Sequence, residues 1–571
     1  MVPHAHSTAR QARPAPRPGT PDPAPENVAA LFDSPLTTGP GRAGTSLQKQ
    51  LLSRLKHAIL EGRLPAGARL PASRTLAEDL AISRNTVSIV YDQLAAEGFI
   101  VPHRLGTRVA QLPLDPLFAA KAAHTASAKT PKANDPVATA ASAPDGPPTP
   151  LASRRIQRLP ATRHAARADE SPLPFTPGVP ALTHFPTSTW RRTLERVMRE
   201  AQPRHYHYGD PLGEPALRDA IAAHLRISRG VRCDASQVVI TEGAHEALIL
   251  CVRLLTDPGD TVWMEDPGYR GAKAAFHSAD VRLHALRVDD EGIVIPEGQW
   301  ERSPPRLVYV TPSHQYPLGS VLSASRRLDL IAQARRHGAW ILEDDYDSEF
   351  RHQGEPIAAM QGMVADAPVV YVGTFSKTMF PALRLGFLIL PTALAAQARD
   401  ALDELLRGGH RFEQLALAEF IRSGQFARHL GRMRRLYRER QTALRNALAT
   451  HFDPAYAVIG ERCGLHLTVR LDPAFPDKAI VTAAQREGIG PRALSSFALD
   501  PHPTDNGLVI GYGDTDAARI PGLIQRLAAI VAAQVAIRIS APKNSASRAC
   551  SARAIHSVSK TAATAATDAH R

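Results

Sequence analysis

The sequence predicts an α/β protein with a largely parallel sheet, preceded by a small helical unit. Three observations predict it. Short β-like apolar runs (QVVIT, TVWME, RLVYVT, AWILEDD and VVYVGT) alternate with helical patterns across residues 173–536. That alternation marks a layered sheet with helical crossovers. A separate segment of helical period fills residues 43–111. Between them, residues 112–172 are rich in Ala, Pro, Ser and Thr, too long a structureless stretch for a compact domain, and so read as a linker.

The 571 residues allow two to four domains, at about 150 residues each. With 44% hydrophobic and 22% charged residues the chain suits globular cores. The net charge of +13 and pI near 9.8 favour a polyanionic partner such as nucleic acid or anionic lipid. Cys233, Cys251, Cys463 and Cys550 have neither metal-ligand spacing nor a disulfide framework, which fits a reducing cytoplasm. There is no apolar run of about 18 residues to span a membrane and no apolar leader at the start. Residues 1–42, rich in Pro, Ala and Gly, and the basic tail 537–571 read as disordered.

Within residues 43–111 the first helix covers SLQKQLLSRLKHAILEG, with Leu47, Leu51, Leu55, Ile59 and Leu60 on one face and Gly62 closing it. The second is SRTLAEDL, with Ser73 placed to cap and Leu76, Ala77 and Leu80 pointing inward. After the turn AIS, Ser83 caps a third helix in which Val87, Val90, Tyr91 and Leu94 recur at helical spacing, and Gly98 ends it. FIV and TRVAQ then flank Arg104-Leu105-Gly106 as two β-like runs, a candidate wing. Two helices across a tight turn make a helix-turn-helix. The residues that open its second helix face base edges, and Arg and Asn pair bidentately with guanine and adenine. From Arg42 to Arg108 ten Lys or Arg stand against five Asp or Glu, which suits phosphate contacts.

In the larger domain, VVYVGTFSKTMFPALRLGFLILP places Ser376, Lys377 and Arg384 within nine residues. A lysine that forms a Schiff base needs an amine held near a carbonyl and partly deprotonated. A phosphate needs hydroxyls, backbone N–H groups and a guanidinium converging on it. Upstream, AWILEDDYDSEF ends a buried strand in Asp344 and Tyr346, where α/β sheets bind ligands. A carboxylate there keeps the ring nitrogen of pyridoxal phosphate protonated. In VVITEGAHEAL, Gly243-Ala244 turns a strand into a helix whose N-terminus offers N–H groups to the phosphate.

The run LPASRTLAEDLAISRNTVSIVYDQLAAEGFI closely resembles the DNA-binding domain of the GntR superfamily over residues 46–109. The resemblance implies a winged helix-turn-helix in which Arg74, Arg84, Asn85 and Thr86 contact DNA, with a wing contact from Arg104 or Arg108. Its loop HRLGTRV lacks the glycine-richer wording usual there. Residues 175–530 resemble fold-type I aminotransferases. YGDPLGEPALRDAI, EDPGYRGA, TPSHQYPLG, EDDYDSEFR and GTFSK…LRLG match the version fused to GntR readers, the MocR/GabR group of regulators. This implies a smaller C-terminal α+β lobe beside the large domain. It also implies a cofactor, pyridoxal 5'-phosphate, joined to Lys377 with Asp344 on its ring nitrogen and Tyr346 on its ring hydroxyl. Gly243, Ala244, Ser376 and Arg384 would hold the phosphate and Tyr269 would stack on or edge the ring. Tyr208 resembles the residue that reaches the partner subunit's phosphate, which implies a head-to-tail homodimer.

Three departures bear on the ligand. Tyr316-Pro317 replaces the usual Asn-Pro and leaves the roles of His314 and Gln315 open. Glu242 precedes Gly243, and a carboxylate beside a phosphate is unfavourable unless it points away. Family members that bind carboxylates often carry an Arg after Leu-Ser, whereas this chain reads Leu494-Ser495-Ser496-Phe497. A carboxylate needs a forked donor or a substitute, for which Arg492, Arg270 and His314 are the candidates. The resulting expectation is a regulator that binds operator DNA and senses an amine or amino acid through an external aldimine at Lys377. Its rivals are a working aminotransferase with an appended reader and a sensor of pyridoxal phosphate level that governs vitamin B6 supply.

Overall fold

The structure, a computed structural model, describes residue 36, residues 46–112 except 105, residues 153–159 except 158, and residues 172–540 except 355, 356 and 474. The chain divides into two compact units, residues 1–147 and 148–571. The N-terminal segment, most of the linker and most of the tail, read above as disordered or flexible, lie outside the described residues.

In the first unit, α1 (Leu47–Leu60), α2 (Ser73–Asp79) and α3 (Arg84–Ala96) are followed by β1 (Ile100–His103) and β2 (Gly106–Val109). Helix α1 is capped by Ser46, whose hydroxyl accepts from the Lys49 N–H at 3.4 Å. Leu51, Leu55 and Ile59 are buried against Leu76, Val87, Val90 and Leu94. Leu60, expected on the same face, is 42% exposed, because 3.6 residues per turn carry it past the edge of the stripe. Ser73 does not cap α2: the helix begins on Ser73 itself and its N-cap is Ala72, with no side-chain bond. Ser83 does cap α3, accepting from the Thr86 N–H at 3.1 Å. The turn between α2 and α3 places Ala81 at φ 51°, a left-handed conformation that a residue with a Cβ adopts at some cost. Strands β1 and β2 pair antiparallel, with His103 opposite Gly106, so Arg104 stands at the tip.

The second unit is built on an eight-stranded sheet in the order β3-β10-β9-β8-β7-β4-β5-β6. Its strands are β3 (Val238–Thr241), β4 (Thr261–Asp266), β5 (Arg282–Asp289), β6 (Gly292–Ile293), β7 (Leu307–Val310), β8 (Trp340–Asp345), β9 (Val369–Thr374) and β10 (Gly386–Ile389). From β5 to β9 all pairings are parallel, while β10 runs against both β9 and β3. Central strands are apolar on both faces, as a sheet covered by helices on two sides requires. Val262 and Met264 of β4 pack into one core and Trp263 into the other.

A four-stranded antiparallel sheet forms the C-terminal lobe, in the order β11 (Val458–Ile459), β12 (His466–Arg470), β14 (Gly507–Gly511), β13 (Arg492–Ala493). The helices Gln425–His451 and Ile520–Ser540 pack on each other beside it. The last helix runs past residue 536, the expected end of the domain. A short helix, Arg154–Gln157, lies inside the expected linker and packs near the helix Arg270–Ser278. Among the described residues no helix is long and apolar enough to cross a membrane.

Candidate functional site

A cavity of about 300 Å³ opens at the carboxyl ends of the central strands, where α/β sheets bind ligands. It brings together eight sequence-predicted residues. Ala244, Tyr269, Asp344, Tyr346, Ser376, Lys377 and Arg384 line it, and Gly243 stands behind Arg384, 3.2 Å from its guanidinium when given a Cβ.

Asp344 and Asp345 end β8 side by side, and the strand's period of two sends them to opposite faces. Asp345 turns away into a buried network, accepting from Arg229 Nε at 2.8 Å and from the Tyr371 hydroxyl at 2.5 Å. Asp344 faces the cavity. Its Oδ2 accepts from the Tyr309 hydroxyl at 2.7 Å, and its Oδ1 has no partner among the described residues. Burial pushes its carboxyl up to about 7, against the Tyr309 hydrogen bond that favours the ionised form. A cationic N–H opposite Oδ1 would satisfy both its lone pairs and its charge.

Lys377 follows β9 and donates to the backbone oxygen of Gly178 at 2.6 Å. Burial lowers the basicity of its amine, against the pull of Asp347 and Asp344. An amine so held is closer to the deprotonated nucleophile that a Schiff base needs.

At the other end of the cavity the groups suit an anion. Gly243 caps the helix Ala244–Leu255 at φ 84°, so the first N–H groups of that helix are open to a phosphate. A Cβ on Gly386 would stand 2.7 Å from the Gly243 carbonyl carbon, so both glycines are needed where β10 passes this turn. Thr374 and Ser376 share a hydrogen bond of 3.1 Å between hydroxyls. Arg384, at φ 51°, reaches back to donate to the Glu242 carbonyl at 2.6 Å. The Glu242 carboxylate points outward, 3.7 Å from His410 Nε2, which removes the repulsion its position in the sequence suggests. A carboxylate at one end, an amine in the middle and an anion cradle at the other fit pyridoxal phosphate.

Other expected residues lie elsewhere. His314 does not line the cavity; it is buried behind Tyr346, bonded to Asp347. Arg270 and Arg492 do not line it either, although both act electrostatically on the Tyr316 hydroxyl, which does. Tyr208 is 80% exposed and does not line the cavity. Sequence reasoning missed Tyr309, Thr311, Asp347, Thr374, His245 and His466, all in the lining. Ligand atoms of His314, Asp347 and Cys463 lie within 4.8 Å of one another. Within that group His314 Nδ1 and Asp347 Oδ1 already share a hydrogen bond of 3.0 Å.

In the reader, Arg84 and Asn85 stand exposed at the start of α3. Thr86 is partly committed to the cap, its hydroxyl 2.8 Å from that of Ser83. Arg74 is exposed on α2 and paired with Glu78 at 3.1 Å. Of the two wing candidates, Arg108 donates to the Gly67 carbonyl at 2.9 Å, whereas Arg104 is exposed at the tip.

Comparison with known proteins bears on both units. Residues 47–109 match the gntR family of bacterial regulatory proteins, and residues 178–508 match aminotransferase class I and II. A probable rhizopine catabolism regulatory protein, MocR of Rhizobium meliloti, is 38% identical over 83% of this chain and 91% of its own length. The chain belongs to the MocR-type regulators. PdxR of Corynebacterium glutamicum, a pyridoxine biosynthesis regulator, is 30% identical over 85% of this chain and 96% of its own. Among solved structures, the α-aminoadipate aminotransferase LysN of Thermus thermophilus, complexed with N-(5'-phosphopyridoxyl)-L-leucine, superposes with a TM-score of 0.59. It is 25% identical and covers 67% of this chain and 96% of its own. As a MocR-type regulator the chain joins a GntR winged helix-turn-helix to a fold-type I aminotransferase domain, whose cofactor is pyridoxal phosphate.

Proposed function

We propose that this MocR-type chain is a cytoplasmic regulator whose reader binds an operator as part of a dimer and whose cavity senses an amine or amino acid through Lys377. The observation that carries the reading is the meeting of Lys377, the half-partnered carboxylate of Asp344 and the anion cradle of Ser376 and Arg384 in one cavity, in a chain that also carries a DNA reader. Bound there, the cofactor supplies an aldehyde carbon that amines attack and a ring that withdraws electrons. Lys377 would hold that carbon, and an effector amine would compete with it for the same position. Asp344 accepts the ring N–H, Tyr269 covers the ring, and Arg384, Ser376 and the helix N-terminus fix the phosphate. In the reader, Arg84 and Asn85 read base edges, while Arg74 and Arg104 position the unit on phosphates.

Tyr208 and Tyr206 are 80% and 70% exposed. On this reading Tyr208 reaches the phosphate of the partner subunit in a head-to-tail homodimer. Displacement of Lys377 changes how lobes or subunits close, and with it the spacing of the two readers. An effector shifts operator binding only through its different affinity for the two states, commonly about 1–3 kcal/mol of coupling. The likeness to a pyridoxine biosynthesis regulator favours one second reading, in which cofactor occupancy alone alters operator binding.

Replacing Lys377 by Ala tests the assignment. The variant is expected to lose the absorbance of covalently held cofactor while keeping basal operator binding. Unchanged cofactor absorbance in the variant would overturn the role given to Lys377.

A further inference from the structure

Helix α3 of the reader buries Val87, Val90, Tyr91 and Leu94 against the rest of its unit. At about 100° of turn per residue these four gather on one side, and the point of the helix farthest from them falls on Ile89. Asn85, one turn earlier, stands about 40° from it by the same rotation. Ile89 is 41% exposed, and Arg84 and Asn85 are exposed as well. Among the described residues the side chains of Arg84 and Asn85 have no hydrogen bond or ion pair. The neighbouring polar groups are more committed. The Thr86 hydroxyl lies 2.8 Å from that of Ser83, and the Gln93 amide donates to the Glu97 carboxylate at 3.0 Å. Asp92 is exposed three residues beyond Ile89, and DNA phosphates repel its charge, so the part of the face suited to DNA is the first two turns.

A helix that packs one face on a core ordinarily carries polar residues on the opposite face. Here the outermost position of that face is apolar, and it continues the surface that the base readers occupy. The edges of base pairs in the major groove present hydrogen-bond donors and acceptors and one apolar group, the 5-methyl of thymine. An isoleucine side chain neither donates nor accepts, so the one base-edge group it favours is that methyl. It also keeps one dominant rotamer in a helix, so little freedom is lost when it docks.

We propose that Ile89 is a specificity-determining residue that packs against the 5-methyl group of a thymine in operator DNA. The proposal rests on the reading that the start of α3 faces base edges. Residues one helical turn apart have Cβ atoms about 5–6 Å from each other, against about 3.4 Å per base along a DNA strand. The thymine therefore stands one or two base pairs from the position read by Asn85.

The test uses the full-length protein and a duplex that it selects from random DNA, in which each thymine in turn is replaced by uracil. That exchange removes one methyl group and leaves every hydrogen-bonding group of the base in place. At least one thymine, one or two base pairs from the position where Asn85→Ala relaxes selectivity, is expected to give roughly fourfold weaker binding on exchange, as for one buried methyl. Ile89→Ala is expected to bind the unmodified duplex about four- to tenfold more weakly and to lose the response to uracil at that thymine. Ile89→Val keeps a branched side chain and should keep the response. The uracil scan of the wild-type protein decides the matter even without a variant, and the exposure of Ile89 leaves the core intact when it is replaced. A scan in which no thymine matters overturns the proposal, as does a response that survives undiminished in Ile89→Ala. A wild-type protein that selects no sequence from random DNA would instead fail the reading of α3 as a base reader, and the proposal with it.

Discussion

Asp344 and Tyr309 act as a unit. The tyrosine sits on β7 and the acid on the neighbouring β8, and among the described residues the 2.7 Å bond between them is the only one the Asp344 carboxylate accepts. Tyr309→Phe removes that bond at nearly constant volume. The expected cost is about 1–1.5 kcal/mol, a cofactor affinity roughly tenfold weaker by equilibrium dialysis. The carboxyl also carries a pH signature. Its folded value of about 7 stands above the ordinary carboxylate value of about 4. The unfolded chain thus releases this proton near pH 4 while the cofactor-free folded chain holds it, so the group's contribution is full below about pH 4 and is lost as pH rises to about 7. Asp344→Asn removes that dependence and leaves Glu265, also raised to about 7 by burial, in both proteins. Melting temperatures of the cofactor-free pair should therefore diverge in the variant's favour from pH 4 toward 7; parallel curves would refute this. Lys377, Arg384 and Asp344 were legible in the sequence because a charged residue at a strand end is conspicuous. Tyr309 was not, since an aromatic inside an apolar run reads as core. Nor was His466, which comes from a strand of the other lobe and reaches the cavity only by folding.

Helix starts separate two serines that look alike in sequence. Ser83 holds α3 through its bond to the Thr86 N–H, whereas Ser73 lies inside α2 and caps nothing. Ser83→Ala should lower reader stability by about 1 kcal/mol and Ser73→Ala by far less, as followed by the thermal transition of the reader. On the proposed function the same helix start carries the base readers. Arg84→Ala is expected to cost about 1–3 kcal/mol on the operator and to relax selectivity at one base position, measured by binding across a set of single-base operator variants. A uniform loss across all variants would mean a phosphate contact instead. Strands β3, β4, β7, β8 and β9 stood out in the sequence because burial on both faces makes each a continuous apolar run. Strand β5, RLHALRVD, is only half covered and mixes charges with apolar residues, so it gave no such signal. The C-terminal strands are short, two to five residues, and were foreseen only through the family resemblance.

At the scale of the whole chain, two compact units share one sequence, and the proposed function requires that they communicate. The net charge of +13 predicts operator binding that weakens steeply with salt. Arg104→Ala should lower the slope of log affinity against log salt by about 1 if the wing tip meets one phosphate. The central claim is that the occupant of the cavity, acting through Lys377, sets the affinity of the reader. It is tested most directly by operator titrations of the cofactor-loaded wild-type chain and of Lys377→Ala, each with and without a panel of primary amines and amino acids. The account predicts that at least one amine changes wild-type affinity by roughly 5- to 150-fold and leaves the variant's affinity unmoved. An equal response in Lys377→Ala would contradict it.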